Sequence, residues 1–232
     1  DSSPTWVLST PDVVRPATRY GLPDLRDGEE SVVGQKWLLD GGSLAEVDVE
    51  RGNRRADATT MLLLALPGST YLYQGEELGL HEVGDIADED RQDPTYFRSP
   101  GVDIGRDGCR VPLPWVADAP GYGFGSEKPH FPQPDWFAEH AVDVEDKDPN
   151  STLNLYRQAL SLRKRLLTEE RLTWEDGGSE DVLQFVRPNG WRVVMNFSDK
   201  PVDLPEGDLL LTSRPLEDGR LPGETTAWLL DD

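Results

Sequence analysis

Two groups of side chains in this chain are of a type and spacing that could do chemistry. One is Asp12 with Arg15, directly after the apolar run Thr5-Trp6-Val7-Leu8. The other is Tyr71-Leu72-Tyr73-Gln74-Gly75-Glu76-Glu77, followed by Gly105-Arg106-Asp107-Gly108-Cys109-Arg110. Both groups come where a β-prone run ends, and polar groups past the carboxyl ends of strands are where parallel α/β barrels build their sites. Carboxylates beside guanidinium groups there suit hydrogen bonding to a sugar. Read alone, however, Asp12 is an Asx turn closing a strand. Glu76 and Glu77 resemble an acid/base pair, but neighbouring strand-end residues point to opposite sides and cannot both flank one bond.

The elements that must position these groups follow from the pattern. Pro11 removes a ladder donor and ends the first strand. After a Gly/Asp-rich loop, Arg54 to Leu66 is rich in Ala, Leu and Met, is stopped by Pro67-Gly68, and leads straight into the β-prone Thr70 to Tyr73. Strand, helix, strand predicts one βα unit and the start of the next. Residues 81–147 are acidic and rich in Pro and aromatics, far longer than an ordinary βα loop, and their Trp and Phe content predicts an ordered, functional one. Asp148-Pro149 offers an N-cap and a first-turn proline for a helix carrying Leu155, Ala159, Leu162 and Leu166, with Arg163, Lys164 and Arg165 suiting its negative end. Beyond it, Val182 to Arg187 and Trp191 to Phe197 flank Pro188-Asn189-Gly190 as a hairpin. Val202 to Leu204, Leu209 to Thr212 and Thr226 to Leu230 are three more β-prone runs.

Composition narrows the partners. A formal net charge of -21 with no basic run argues against nucleic acid or an anionic membrane, which need clustered cations. A neutral ligand fits better. The start has neither a charged n-region nor an apolar h-region, and no apolar run approaches the roughly 20 residues of a membrane span, so we expect a soluble, cytoplasmic protein. The single Cys109 excludes an intrachain disulfide, and His81, His130 and His140 lack metal-ligand spacing and read as loop or surface histidines. No metal and no cofactor is expected.

The stretch from Tyr71 to Leu80, the pattern from Gln92-Asp93-Pro94 to Trp115 and the run around Asp12 together resemble the α-glucosidases of glycoside hydrolase family 13, the α-amylase family. The resemblance implies an α/β fold: the C-terminal portion of a (β/α)8 TIM barrel, its last two strands and helices, over residues 1–171, with a long active-site loop at 81–147. A small antiparallel β-sandwich domain would follow over 172–232. It implies a retaining mechanism whose nucleophile and acid/base carboxylates, from the fourth and fifth barrel strands, have no counterpart in this chain. By the same resemblance Asp12 is the transition-state-stabilising aspartate and Arg106 clamps the terminal glucose. Arg15 and Arg110 are further substrate-binding candidates, equally readable as structural ion pairs with Asp107 or Glu76. The expected partner is an α-linked gluco-oligosaccharide, and the expected function is part of an α-glucosidase, incomplete and inactive alone. The alternative is a non-catalytic carbohydrate-binding or regulatory subunit of a split barrel, completed by a separate chain. One departure stands out: where the family reads Asn-His-Asp this chain has Thr10-Pro11-Asp12, and Pro16 replaces a further His. Pro11 cannot donate to a sugar hydroxyl.

Overall fold

The structure, a computed structural model, describes residues 3–23, 33–125 and 129–231. In chain order the elements are β1 (Thr5–Val7), α1 (Pro16–Gly21), α2 (Val33–Leu39), α3 (Val49–Ala65), β2 (Ser69–Tyr71), α4 (Pro94–Arg98), α5 (Val142–Glu145) and α6 (Thr152–Leu166), then the strands β3 (Thr173–Glu175), β4 (Val182–Val186), β5 (Trp191–Asn196), β6 (Asp208–Thr212) and β7 (Thr225–Leu230). They fall into two compact units. One gathers residues 1–7, 54–71 and 155–232, the other 8–53 and 72–154. The stretch expected as a Gly/Asp-rich loop holds α1 and α2, and its residues 24–32 lie outside the described ones.

In the first unit, β1 and β2 pair in parallel, Thr5 opposite Ser69 and Val7 opposite Tyr71, with α3 between them in the chain as expected. The Trp6 indole donates to Pro67 O at 2.6 Å and Ser69 N–H to Pro4 O at 3.0 Å, which pins the start of the pair. The C-terminal strands form one antiparallel sheet in the order β3-β4-β5-β7-β6. Its β4–β5 hairpin turns at the expected Pro188-Asn189-Gly190, where Gly190 takes φ +82. A two-sheet sandwich is not what the described residues form. Met61, Leu64 and Ala65 of α3 and Leu155 and Ala159 of α6 cluster with Phe185, Trp191, Val193 and Trp228. Leu221 and the half-buried Val202, Leu204 and Leu216 cluster with Val194, Ala227 and Leu229. With both apolar faces covered, no second sheet is required, and the run at Val202 shrinks to one bridge with Leu221. β3 was not visible in the sequence because Thr173-Trp174-Glu175 is too short to show a period.

Two arginines cap the end of α3, whose last carbonyls have no helical partners. Arg163 donates to Leu64 O, to Leu66 O at 3.4 Å and to Gly68 O at 2.8 Å. The buried Arg187 donates to Ala65 O and Glu169 O, both at 2.8 Å, and its guanidinium lies 6.0 Å from the Trp191 ring centre. Arg187→Leu strands both carbonyls, so stability should fall by about 2–4 kcal/mol, seen as a lower urea midpoint at unchanged slope. A change within about 0.5 kcal/mol would show that water replaces the guanidinium at no cost.

The second unit holds the long loop, whose described residues pack around aromatic side chains as expected. Phe131 and Phe137 are buried with Leu78, Leu80, Val83, Ile86, Val111, Leu113 and Leu153, and Trp136 meets Phe137 edge-on at 4.7 Å. Val14, Leu22, Trp37, Leu38 and Val47 make a second cluster around α2. α3 starts earlier than expected, at Val49, because Asp48 Oδ1 accepts the Arg51 N–H at 3.0 Å. Gly52 weakens the helical pattern at this end. It is there because a Cβ at 52 would come within 2.0 Å of Ala17 O. α6 starts later than the Asp148-Pro149 signal: Ser151 Oγ accepts the Asn154 N–H at 3.2 Å and the buried Glu145 accepts the Leu153 N–H at 2.9 Å, so Ser151 is the cap.

No helix among the described residues is long and apolar enough to cross a membrane.

Candidate active site

The segment after β1 and the segment 105–110 meet in the second unit through one ion pair. Arg106 Nη1 donates to Asp12 Oδ1 at 2.8 Å. The rest of the guanidinium is anchored on Asp93, which accepts from Arg106 Nε at 2.6 Å, Nη2 at 3.3 Å and the backbone N–H at 3.0 Å. Asp93 is fully buried at its side chain whereas Arg106 and Asp12 are 40% and 59% exposed, so the fork is fixed from below and open above. These hydrogen bonds, Arg106 foremost and Thr95 after it, hold the Asp93 carboxyl well below the usual carboxylate range. Asp93 and Asp12 in turn raise the Arg106 guanidinium, which stays charged. Asp107, also buried, accepts the N–H groups of Gln92 and Asp93 at 2.8 and 3.1 Å and so sets the backbone that aims Asp93. Gly105 is required here: its φ is +82, and a Cβ would lie 2.8 Å from that of Asp93. Asp93 was legible only as an N-cap before Pro94, which it also is, accepting the Thr95 N–H at 2.9 Å. Its larger role depends on a partner 13 residues away.

Of the two other arginines, Arg110 stays at the site. Its Nε and Nη2 donate to Pro11 O at 3.1 and 2.9 Å, and Nη2 reaches Asp12 Oδ1 at 3.4 Å. Arg15 does not open into the site. It is 2% exposed, donates through Nη1 to Gln74 O and through Nη2 to Cys109 O, both at 2.9 Å, and lies 5.5 Å from the Tyr73 ring centre. Neither Asp107 nor Glu76 pairs with it among the described contacts. Two backbone carbonyls outcompete a carboxylate because Arg15 must join three segments at once, its N–H also reaching Glu82 Oε2 at 2.9 Å. Asp12, Arg106, Glu82, Cys109, Thr95 and Asp103 are among the residues that line a cleft of about 430 Å³.

Beneath the cleft lies a buried polar layer. His81 is buried, not a surface histidine, with its Nδ1 3.2 Å from Thr18 Oγ1, and burial pushes its pKa down to about 4. Burial pushes the Cys109 thiol up to about 12, with Glu82 adding to the effect, so the thiol stays protonated and unreactive. Glu82 is raised to about 7 by burial against the opposing pull of Arg15. Glu76 is raised to about 7 by burial, with Glu77 adding to the effect against the opposing pull of the Tyr73 backbone, Arg15 and Ser9, and among the described residues neither of its carboxylate oxygens makes a well-formed hydrogen bond. A carboxyl whose folded pKa is raised stabilises the fold below its unfolded value and loses that contribution as pH rises. Stability should therefore decline from about pH 4.5 to above pH 7, and Glu76→Gln should remove on the order of 2–3 kcal/mol of that decline. Denaturation midpoints for the two proteins at pH 5 and pH 8 test this; parallel slopes would mean Glu76 is hydrated.

Among the described residues no three His, Cys, Asp or Glu side chains converge on a point that could hold a metal ion. What the cleft offers is a carboxylate, a fixed fork and hydroxyl-scale hydrogen bonding.

Residues 41–170, more than half of the chain, match the catalytic domain of the alpha-amylase family, and the chain belongs to that family. A "Probable alpha-glucosidase" of Rhizobium meliloti is 34% identical over 201 residues, which cover 84% of this chain and 31% of that protein. An oligo-1,6-glucosidase of Saccharomyces cerevisiae is 32% identical over 129 residues, 45% of this chain and 22% of the yeast protein. Among solved structures, an alpha-glucosyl transfer enzyme superposes with a TM-score of 0.72 at 31% identity over all of this chain and 41% of its own. The chain thus spans about a third of the length of its bacterial relative.

Proposed function

We propose that this chain supplies the glucose-clamping and transition-state-stabilising side of a retaining α-glucosidase that releases terminal α-linked glucose from gluco-oligosaccharides. The observation that carries this is the 2.8 Å contact of Asp12 with Arg106, whose guanidinium is fixed by the buried Asp93. Residues 1–171 are then the closing part of a (β/α)8 barrel, with 81–147 as its active-site loop and 172–232 as an appended β domain. The parallel β1–β2 pair with α3 between its strands supports that assignment. The nucleophile and the acid/base belong to the portion of the relatives that this chain does not span.

The chemistry follows from the donors and acceptors. A retaining glycosidase needs a carboxylate nucleophile and a carboxylic acid about 5 Å apart, and positive charge spreads over the sugar ring as the bond to the leaving oxygen breaks. Arg106 and Arg110 both bind Asp12 Oδ1, so among the described residues Oδ2 has no partner and can accept a glucose hydroxyl. That hydrogen bond tightens as the ring becomes cationic, which is stabilisation specific to the transition state. With Nε and Nη2 committed to Asp93, Arg106 still has one N–H on each terminal nitrogen for the same sugar.

Initial rates of p-nitrophenyl α-glucoside and β-glucoside hydrolysis test the proposal, with this chain assembled with the N-terminal portion of the Rhizobium meliloti relative. Hydrolysis of the α-anomer alone is expected. Glucose binding without hydrolysis of either would overturn it in favour of the non-catalytic binding subunit.

A further inference from the structure

We infer that Glu82 is the positioning residue of the cleft, a buried carboxyl that holds the segment carrying Asp12 and the segment carrying Arg106 at the separation their ion pair requires. The inference rests on the proposal that these two side chains share one glucose. Glu82 acts on them through the backbone and not on the sugar.

One arm is held at the start of α1. Arg15 is the N-cap of that helix, so its N–H has no helical acceptor, and Pro16 after it has no N–H at all. Glu82 Oε2 accepts the Arg15 N–H at 2.9 Å, and the Glu82 N–H donates to Thr18 Oγ1 at 2.8 Å. Residue 82 thus grips the first turn of α1 from both ends, just beyond Asp12. The other arm lies against the same carboxyl. A Cβ at position 108 would stand 2.5 Å from Glu82 Oε1 and 2.4 Å from Val83 O, so the chain just beyond Arg106 passes this close only as glycine. The Arg15 guanidinium reinforces the bridge by donating to Cys109 O at 2.9 Å. Glu82 is 2% exposed, yet it lines the cleft with Asp12 and Arg106.

The groups facing this carboxyl are Arg15 and Arg19, which favour its ionised form, and Cys109 and Tyr73. Burial pushes the Cys109 thiol up to about 12 and raises the Tyr73 hydroxyl as well, so both are neutral around pH 7. Burial also outweighs the two arginines at Glu82 and brings it to about 7, so this carboxyl changes charge near neutral pH. The carboxylate accepts the Arg15 N–H more strongly than the neutral acid does, and both arms should respond to the change.

Two-dimensional proton–nitrogen NMR spectra of the full chain between pH 5 and pH 8 test this through the Arg15 backbone N–H and the Arg106 Nε–H. The proteins compared are the parent, Glu82→Gln and Glu76→Gln. Glu82→Gln keeps an acceptor for Arg15 but has no proton to lose, and Glu76→Gln removes another carboxyl raised to about 7. We expect both signals to move with one midpoint near pH 7 in the parent and in Glu76→Gln, and to lose it in Glu82→Gln. An Arg106 signal that ignores this midpoint, or a midpoint that survives Glu82→Gln, would overturn the inference and leave Glu82 as an acceptor at a helix start. In the assembly with the N-terminal portion of the Rhizobium meliloti relative, Glu82→Ala should lower kcat/KM for p-nitrophenyl α-glucoside about tenfold or more. Glu82→Gln should recover most of that loss, with the step near pH 7 gone from its pH profile. Equal rates for the parent and Glu82→Ala would overturn the role of Glu82 and leave the α-glucosidase proposal standing. A shared NMR midpoint in a chain whose assembly hydrolyses nothing would keep Glu82 as the link between the two arms and remove the α-glucosidase proposal.

Discussion

In an assembly that turns over, Asp12→Asn should lower kcat by about 10²–10³-fold with a much smaller change in KM. The substitution keeps the shape of the side chain and one carbonyl acceptor, but it removes the charge that answers the cationic ring. It also replaces one oxygen by a donor. Arg106 keeps three contacts to Asp93, so the fork stays in place and the loss reports on Asp12 itself. Steady-state kinetics with p-nitrophenyl α-glucoside checks it. A fall of less than tenfold would return Asp12 to the role of a turn residue, for which its N–H contact to Thr10 Oγ1 at 3.2 Å already suffices.

The second large effect should be a gain. Changing Thr10 to Asn and Pro11 to His together should raise kcat roughly ten- to a hundredfold for each sugar contact restored, the equivalent of 1–3 kcal/mol per unpaired polar group. The backbone can tolerate the change, because what Pro11 contributes is its carbonyl, bound by both Arg110 nitrogens and by the Cys109 thiol at 3.4 Å. Histidine has the same carbonyl and adds a ring donor that proline lacks. The gain should appear in kcat, since the new contacts tighten on the flattened ring. Equal rates for the two proteins would mean the segment before Asp12 does not face the sugar.

What was legible in the sequence is what short-range chemistry decides. Pro67-Gly68 marked the end of α3, Pro188-Asn189-Gly190 marked the hairpin, and the strand–helix–strand order gave the parallel pair, whereas β1 already stops at Val7, short of Pro11. The coming together of Asp12 and Arg106, 94 residues apart, was legible only through the family resemblance. Hidden from view were choices between equivalent partners. Arg15 had carboxylates to pair with and took two backbone carbonyls, because its position under three segments, not its charge, sets its role. Asp93 looked like an ordinary cap, and Ser151 displaced Asp148 as a cap because Glu145 folds back to share the helix end. The single sheet in place of a sandwich reflects the same limit: strand patterns show that a face is apolar, but not whether a helix or a second sheet will cover it.

The central claim is that Asp12 and Arg106 hold one sugar between them, and a double-mutant cycle on kcat/KM for p-nitrophenyl α-glucoside tests it most directly. The cycle combines Asp12→Asn with Arg106→Lys, which keeps the charge but loses the fork. Side chains 2.8 Å apart that grip the same ring should couple by about 1 kcal/mol or more, so the double variant should lose clearly less than the two single losses combined. Losses that add within about 0.5 kcal/mol, or either single variant working as well as its parent, would contradict it.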